Sequence, residues 1–182
     1  MKAIKLIFEY LPAAVNDKVL SGLTGYTVKR LAGADRYATN LEILKEAGVT
    51  NEEIIVATGT GFADSLSASA TGLPMLLVNK ELNPKQKAFL EAHRNNTKYI
   101  IGGTSAVSVA LENEVKTYGE VKRIGGSTRY QTSVMVAEQF FNNATQAVVA
   151  YGRNFPDGLS GGALAYAIKS PLLLTNGQSV NY

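Results

Sequence analysis

The chain has 182 residues, of which 46% are hydrophobic and 18% are charged, as in an ordinary folded protein rather than a disordered one. Its 18 Lys and Arg residues and 15 Asp and Glu residues give a net charge of +3, and the basic residues are scattered, which argues against a nucleic-acid-binding stripe. The absence of cysteine excludes disulfides, thiolate nucleophiles and cysteine-ligated metals, and no apolar run reaches the roughly 18 residues that span a bilayer.

Strand-like and helix-like runs alternate along the whole chain. The first run, residues 4–8, is interpreted as a strand rather than as part of a signal peptide, because Lys5 and Glu9 interrupt it and no cleavage site follows. Further strands are predicted at 26–31, 53–57, 74–78, 99–101, 121–124, 147–150 and 172–174, and helices at 13–20, 36–47, from 63, 84–95, 108–118, 128–141 and 157–168. This alternation predicts an α/β fold with mainly parallel sheets that are covered on both faces.

The only histidine, His93, is expected near the end of a helix, where a cation suits the helix dipole. A zinc site or a Ser-His-Asp triad needs partner residues that are not evident in the sequence. We therefore expect no catalytic residue, no metal and no cofactor.

Two blocks of sequence recur with one spacing. Residues 30–39 (RLAGADRYAT) return 93 positions later as residues 123–132 (RIGGSTRYQT). The same spacing relates residues 57–67 (ATGTGFADSLS) to residues 150–160 (AYGRNFPDGLS). Because two separate blocks share one spacing, the chain is interpreted as a tandem array of one α/β unit, and its function should lie in what the copies share.

The copies are unequal. Residues 30–122 are predicted to form a complete module, and residues 123–182 a second module without its C-terminal part. Residues 1–29 resemble the strand and helix that precede the second copy, so they are interpreted as the tail of an upstream module. We expect them to pack onto the incomplete second module, either within the chain or swapped between chains.

The first repeated motif places a glycine turn before an Arg-Tyr pair at a helix start: Arg36 and Tyr37 in one copy, Arg129 and Tyr130 in the other. Turn amides and an arginine suit an anion, and a tyrosine offers a flat hydrogen-bonding surface to a sugar. Alternatively, the arginine pairs with an internal carboxylate and the tyrosine packs between modules.

The second repeated motif contains Asp64 and its counterpart Asp157, each at a predicted helix start. An aspartate there can cap the helix and complement its dipole, or it can face a ligand or act in catalysis. A dinucleotide-binding loop is disfavoured, because Asp64 replaces the third glycine of that motif and would repel a pyrophosphate.

The ordered strings RLAGADRYAT, GFADSLS, PMLLV and YIIGGTSAVS resemble one repeat of the clostridial cell-wall-binding repeat 2 family, and RIGGSTRYQT, NFPDGLSGGALA and SPLLLTN resemble the first two-thirds of another. The resemblance implies tandem three-layer modules, Rossmann-like or toprim-like, in secreted surface proteins and autolysins of Gram-positive bacteria. It also implies non-catalytic anchoring to an anionic secondary cell-wall polymer, although no signal peptide is evident here. By motif position, Arg36 and Arg129 would contact the polymer, and the residues shaping the site would be Tyr37, Tyr130, Asp64 and Asp157.

Two other functions stay open. The chain could be an enzyme that uses Asp64 or Asp157 on phosphoesters, or a surface-layer component that associates with itself through its incomplete modules. We expect no nucleic-acid partner and no membrane span.

Overall fold

The structure, a computed structural model, describes residues 4–9, as backbone only, and residues 15–178. The chain divides into two compact units between Val49 and Thr50. None of the described helices combines the length and the apolar character needed to cross a lipid bilayer.

The first unit is built around two parallel strands. Its elements are β1 (Ile4–Glu9), α1 (Asp17–Ser21), β2 (Thr27–Ala32) and α2 (Arg36–Ala47). The Asp35 side chain caps α2 by accepting a hydrogen bond from the amide of Ala38 at 2.7 Å, and Gly48 ends the helix in the left-handed conformation. The predicted bounds of α2 are confirmed, whereas residues 13 and 14 of the predicted first helix lie outside the described residues.

The second unit holds a larger parallel sheet. Its elements are β3 (Ile54–Thr58), α3 (Ala63–Ser69), β4 (Met75–Val78), α4 (Pro84–Ala92), β5 (Lys98–Ile101), α5 (Val109–Lys116), β6 (Val121–Ile124), α6 (Arg129–Phe140), β7 (Val148–Tyr151), α7 (Pro156–Ala167) and β8 (Leu172–Thr175). The strands of the sheet lie in the order β4-β3-β5-β6, and β7 and β8 form a separate parallel pair. Every residue of β3 and β5 is buried, so both faces of these strands are covered. The predicted α/β fold with mainly parallel strands is confirmed.

The sequence spacing of 93 residues also appears in the strand registers. Ile7 of β1 lies opposite Arg30 of β2, and Ile100 of β5 lies opposite Arg123 of β6. Both members of the first pair therefore recur 93 positions later. This agreement supports the proposal that residues 1–29 are the tail of an upstream module, although the division of the chain into modules stays a prediction.

Strand β7 is less covered than its counterpart β3. The side chain of Val149 is 54% exposed, whereas the corresponding Val56 is fully buried. The two strands also differ in pairing, since β3 pairs with both β4 and β5, while the described ladder of β7 is the one with β8. Completion of this edge by residues 1–29 stays a prediction.

His93 lies at the C-terminal cap of α4, as expected. Its ring Nδ1 is 2.7 Å from the carbonyl oxygen of Phe89, one turn earlier. The histidine is therefore part of the helix end, where its ring also contacts the ring of Phe89 at a centroid distance of 4.3 Å.

The side chain of Lys98 is fully buried where β5 begins, and it binds the loops that follow α4 and α5. The Lys98 ammonium donates hydrogen bonds to the carbonyl oxygens of His93 at 2.7 Å, Arg94 at 3.1 Å and Tyr118 at 2.7 Å. These carbonyls follow α4 and α5, whose last carbonyl groups need partners. Burial, together with the positive charge of Arg94, lowers the pKa of Lys98.

We expect Lys98→Met to lower the free energy of unfolding by about 2–4 kcal/mol, because the substitution leaves three partly buried carbonyl groups without their donor. Lys122→Met is the matched control, because Lys122 lies on the neighbouring strand with its side chain 52% exposed and pairs with Glu120 at 3.4 Å. The control should cost at most about 1 kcal/mol. Urea denaturation measures both values, and equal losses for the two variants would contradict the role given to Lys98.

Candidate functional site

An open cleft of about 480 Å³ lies at the carboxyl ends of β3, β5 and β6. The chain leaves β3 through α3 toward β4 on one side, and leaves β5 through α5 toward β6 on the other side. The two connections thus lead away from the β3–β5 pair in opposite directions, which makes this pair the topological switch point of the sheet. Ligands of open α/β sheets bind in the crevice at such a switch point, so this cleft is the candidate site.

Arg129 stands at the rim of the cleft, at the start of α6. The side chain is exposed, and its Nη1 donates a hydrogen bond to the carbonyl oxygen of Gly152 at 2.8 Å. Its guanidinium carbon lies 5.6 Å from the ring centre of Phe62, which orients the group by a cation–π contact. Since a guanidinium carries five N–H donors, Arg129 keeps donors for an anion while the protein holds it in place.

Asp64 lines the same cleft from the first turn of α3. Its carboxyl group is partly buried, and burial raises its pKa while the positive charge of Arg129 opposes the rise. Among the described residues, no hydrogen bond or ion pair holds the carboxylate. Gly102 has φ +112°, and a Cβ there would lie 2.4 Å from Asp64 Oδ2, so only glycine lets the turn approach this carboxylate.

The capping interpretation of the two aspartates is only partly right. The N-cap residues of α3 and α7 are Phe62 and Phe155, and neither helix has a side-chain hydrogen bond at its cap. Asp64 and Asp157 instead lie in the first turns, where a negative charge complements the helix dipole. Asp157 is exposed and is not among the residues that line the cleft.

Hydroxyl groups supply most of the remaining polar surface of the cleft. Thr58 is buried, with its Oγ1 2.8 Å from Oγ1 of Thr60, and the other hydroxyl residues lining the cleft are Ser105, Ser127, Thr128 and Thr132. Hydroxyls both donate and accept hydrogen bonds, so this surface suits the hydroxyl groups of a sugar.

The turn amides before α6 are already in use, which differs from the sequence-based expectation. The amide of Gly126 donates to Oγ1 of Thr132 at 3.1 Å, and that of Ser127 donates to Oε1 of Gln131 at 3.0 Å. In the first unit, the amide of Gly33 donates to Oγ1 of Thr39 at 2.8 Å in the same way. The hydroxyl of the repeated threonine thus binds the amide of the glycine turn, so these amides are not available to an anion.

The first arginine of each repeated block positions a loop. Arg123 donates from Nη1 to the carbonyl oxygen of Gly102 and from Nη2 to that of Val107, both at 2.8 Å, and it pairs with Glu112. The loop after β5, which forms one wall of the cleft, is therefore tied to β6. In the first unit, Arg30 makes the matching bond to the carbonyl oxygen of Val15 at 2.9 Å.

The structure brings two of the predicted site residues, Asp64 and Arg129, into one cleft. Tyr130 instead packs against the apolar cluster that contains Ala150 and Leu174. In the first unit, Arg36 is exposed and Tyr37 half-buried at the start of α2, the position that matches the start of α6. The part of each residue in binding stays a prediction.

No group of three or more His, Cys, Asp or Glu side chains among the described residues could hold a metal ion.

Asp64→Asn should raise the melting temperature at pH 7. Because the folded pKa is raised above the ordinary 3.8, the folded chain binds the proton more strongly than the unfolded chain. The stability this gives is present below pH 3.8 and is lost as the pH rises through the folded pKa, so the ionised carboxylate destabilises the fold at pH 7.

Thermal unfolding at pH 7 and below pH 3.8 tests this expectation, since the advantage of Asp64→Asn should disappear at the lower pH. The exposed Asp157→Asn is the control and should change the melting temperature little at either pH. A lower melting temperature for Asp64→Asn at pH 7 would show that the carboxylate stabilises the fold.

Comparison with known proteins places the repeats in one family. The sequence matches the family Cell wall binding domain 2 (CWB2) over residues 30–112 and 123–182. It is 33% identical over 171 residues to N-acetylmuramoyl-L-alanine amidase LytC of Bacillus subtilis (strain 168), covering 90% of this chain and 34% of that protein. It is also 33% identical over 172 residues to the amidase enhancer of the same organism, covering 92% of this chain and 23% of that protein.

The fold has close counterparts among solved structures. Cwp8 from Clostridium difficile superposes with a TM-score of 0.83 at 28% identity, covering 96% of this chain and 32% of that one. Cwp6 from the same organism superposes with a TM-score of 0.80 at 24% identity, covering 90% and 28% of the two chains. The chain thus spans about a third or less of the length of each of these proteins. With its repeated motifs and parallel sheet, it belongs to the cell wall binding domain 2 family.

Proposed function

We propose that the chain is a non-catalytic anchoring module that binds an anionic secondary polymer of the Gram-positive cell wall. The observation that carries the proposal is the cleft at the switch point, where an exposed and oriented Arg129 stands over hydroxyl groups. A guanidinium binds phosphate or carboxylate through paired charge-assisted hydrogen bonds, and the hydroxyls suit the sugars of such a polymer.

Family and relatives support the same function. The family is described as a cell wall binding domain, and two relatives are named as an amidase and an amidase enhancer. We therefore expect the protein at the cell surface, held on the wall as a targeting part. The tandem arrangement supports this function as well, because repeated weak contacts to one polymer add up through effective concentration.

Sedimentation with purified Gram-positive walls tests the proposal. We expect the chain to sediment with the walls at low ionic strength and to be released as salt is added, because added ions screen exposed charges. Walls from which the anionic polymer has been extracted are the control. Undiminished binding to the extracted walls, or no binding to intact walls, would contradict the proposal.

A hydrolytic function has one observation in its favour. A partly buried carboxyl group with a raised pKa in a cleft, as at Asp64, is a common feature of general acids. A screen against phosphoester substrates tests this alternative, and turnover that disappears in Asp64→Asn would replace the anchoring proposal with an enzymatic one.

Self-association also has one observation in its favour, the exposed side chains of Val149 and Tyr151 on β7. Light scattering of the isolated chain tests it. Large assemblies that form without wall material would favour a surface-layer component over a wall anchor.

A further inference from the structure

A second cleft continues the candidate site along the edge of the sheet. It has a volume of about 390 Å³ and shares Thr58, Thr60, Ser105 and Ala106 with the first cleft. The residues that it adds are Asn79, Lys80 and Ser108. Because the two clefts have four lining residues in common, they lie side by side over the carboxyl ends of the strands, and we refer to them together as the groove.

The groove carries a cation near each end. Lys80 follows β4, the outer strand on one side of the sheet, and Arg129 follows β6, the outer strand on the other side. Three strand spacings of roughly 4.8 Å each separate β4 from β6, so the carboxyl ends of these two strands are about 14 Å apart. A groove across this width has room for two separate anionic groups, one beside each cation.

Lys80 is exposed and, among the described residues, makes no hydrogen bond or ion pair. The nearest acidic residue in sequence is Glu81, which is also exposed. Since the fold gives Lys80 no structural partner, its ammonium is available to a ligand in the groove. A lysine is a compact point charge on a flexible stem, which suits an anion whose position varies along a polymer.

Apart from the Asp64 carboxylate, the surface between the two cations is uncharged, and it combines apolar area with hydroxyl groups. Thr60, Ser105 and Ser108 present hydroxyls there, and the Asp64 carboxylate lies toward the Arg129 end. A carboxylate repels an anion but accepts hydrogen bonds from hydroxyl groups. The groove therefore has the pattern expected for an anionic group, neutral sugar hydroxyls and a second anionic group in succession.

We propose that one extended strand of an anionic sugar polymer lies along the whole groove, with separate anionic groups bound by Arg129 and Lys80. This inference rests on the proposed function and adds a second subsite to it. The second copy has four more residues before its PLLLTN strand, so Asn79 corresponds to Asn176, and Lys80 corresponds to Gly177. Lys80 thus belongs to the first copy alone. The sites of the two copies therefore differ in how many anionic groups they contact.

The test compares Lys80→Gln, Arg129→Gln and the control Lys122→Gln in the full chain. Lys122 carries the same charge on β6 but lies away from the carboxyl end of the strand. Calorimetry measures the binding of two probes: the anionic polymer extracted from purified walls, and its single repeat unit obtained by hydrolysis. Lys80→Gln should weaken binding of the intact polymer about three- to tenfold, and Arg129→Gln should weaken binding of both probes.

The single repeat unit separates the subsites. Lys80→Gln should leave its affinity at the Arg129 subsite unchanged, because a unit that carries a single anionic group pairs with one of the two cations. If Lys80→Gln and Lys122→Gln bind the intact polymer equally well while Arg129→Gln binds it weakly, the second subsite is wrong and the anchoring function stands. If the wild-type chain does not bind the intact polymer, the proposed function itself fails.

Discussion

Gly125→Ala should lower the free energy of unfolding by about 3 kcal/mol, because a methyl group there overpacks two backbone segments. A Cβ at this position would lie 2.4 Å from the carbonyl carbon and oxygen of Gly102 and 2.8 Å from the amide nitrogen of Gly103. All three atoms are backbone, so no side chain can turn aside to make room. The substitution should therefore also displace the loop that forms one wall of the cleft.

Gly61→Ala is the matched control for Gly125→Ala, because Gly61 lines the cleft and Gly125 directly precedes Gly126, which also lines it. An added Cβ there would approach nothing closer than Cγ2 of Thr58 at 3.7 Å. The control should leave stability unchanged or slightly increased. Calorimetry should show a melting temperature lower by roughly 6–12 °C for Gly125→Ala. Equal melting temperatures for the two variants would mean that the loops can separate without cost.

The first copy shows why an alanine is tolerated at the corresponding position. Ala32 matches Gly125 at the spacing of 93 residues, but it lies within β2, opposite Glu9 in the ladder. Strand β6 ends one residue before Gly125, where two glycine turns come together. The same repeated position thus lies in a strand in the first unit, whereas in the second unit it lies where two backbone turns are in close contact.

The fold could be predicted because the residues that begin and end its helices and strands act locally and occur in both copies. The predicted bounds of α2 agree with the structure, since a capping aspartate and a terminal glycine set them, and the predicted bounds of β6 agree as well. Asp64 and Arg129 could be placed near one another because each begins a helix after a parallel strand. The carboxyl ends of neighbouring parallel strands share one edge of the sheet.

The contacts that shape the site were less predictable, because they join residues far apart in sequence. The tyrosine of the Arg-Tyr pair packs against the core at Tyr130, although its neighbour Arg129 faces the cleft. The carbonyl groups that Lys98 binds come from two different loops, so nothing local predicts its burial. Lys80, the residue proposed for the second subsite, occurs in one copy, so the motifs that the copies share do not indicate it.

Arg129→Gln should weaken binding to purified walls by about ten- to a hundredfold, because it removes charge-assisted hydrogen bonds to the polymer. Arg129→Lys should recover only part of the affinity. A lysine keeps the charge but has no planar pair of donors. Arginine can bond the carbonyl oxygen of Gly152 and present such a pair to an anion at the same time, and lysine cannot. Sedimentation at low ionic strength measures these affinities.

The control for Arg129→Gln is Arg153→Gln, which removes the same charge from an exposed arginine that does not line the cleft. Its affinity for walls should stay within about twofold of the wild type, since its side chain does not line the cleft and an exposed charge acts weakly through salt solution. Arg36→Ala, alone and with Arg129→Ala, tests the matching position of the first unit. If the two arginines hold one polymer, the double variant should bind more weakly than either single variant. If Arg129→Gln and Arg153→Gln lose affinity equally, attraction to the wall depends on net charge and the cleft is not the binding site.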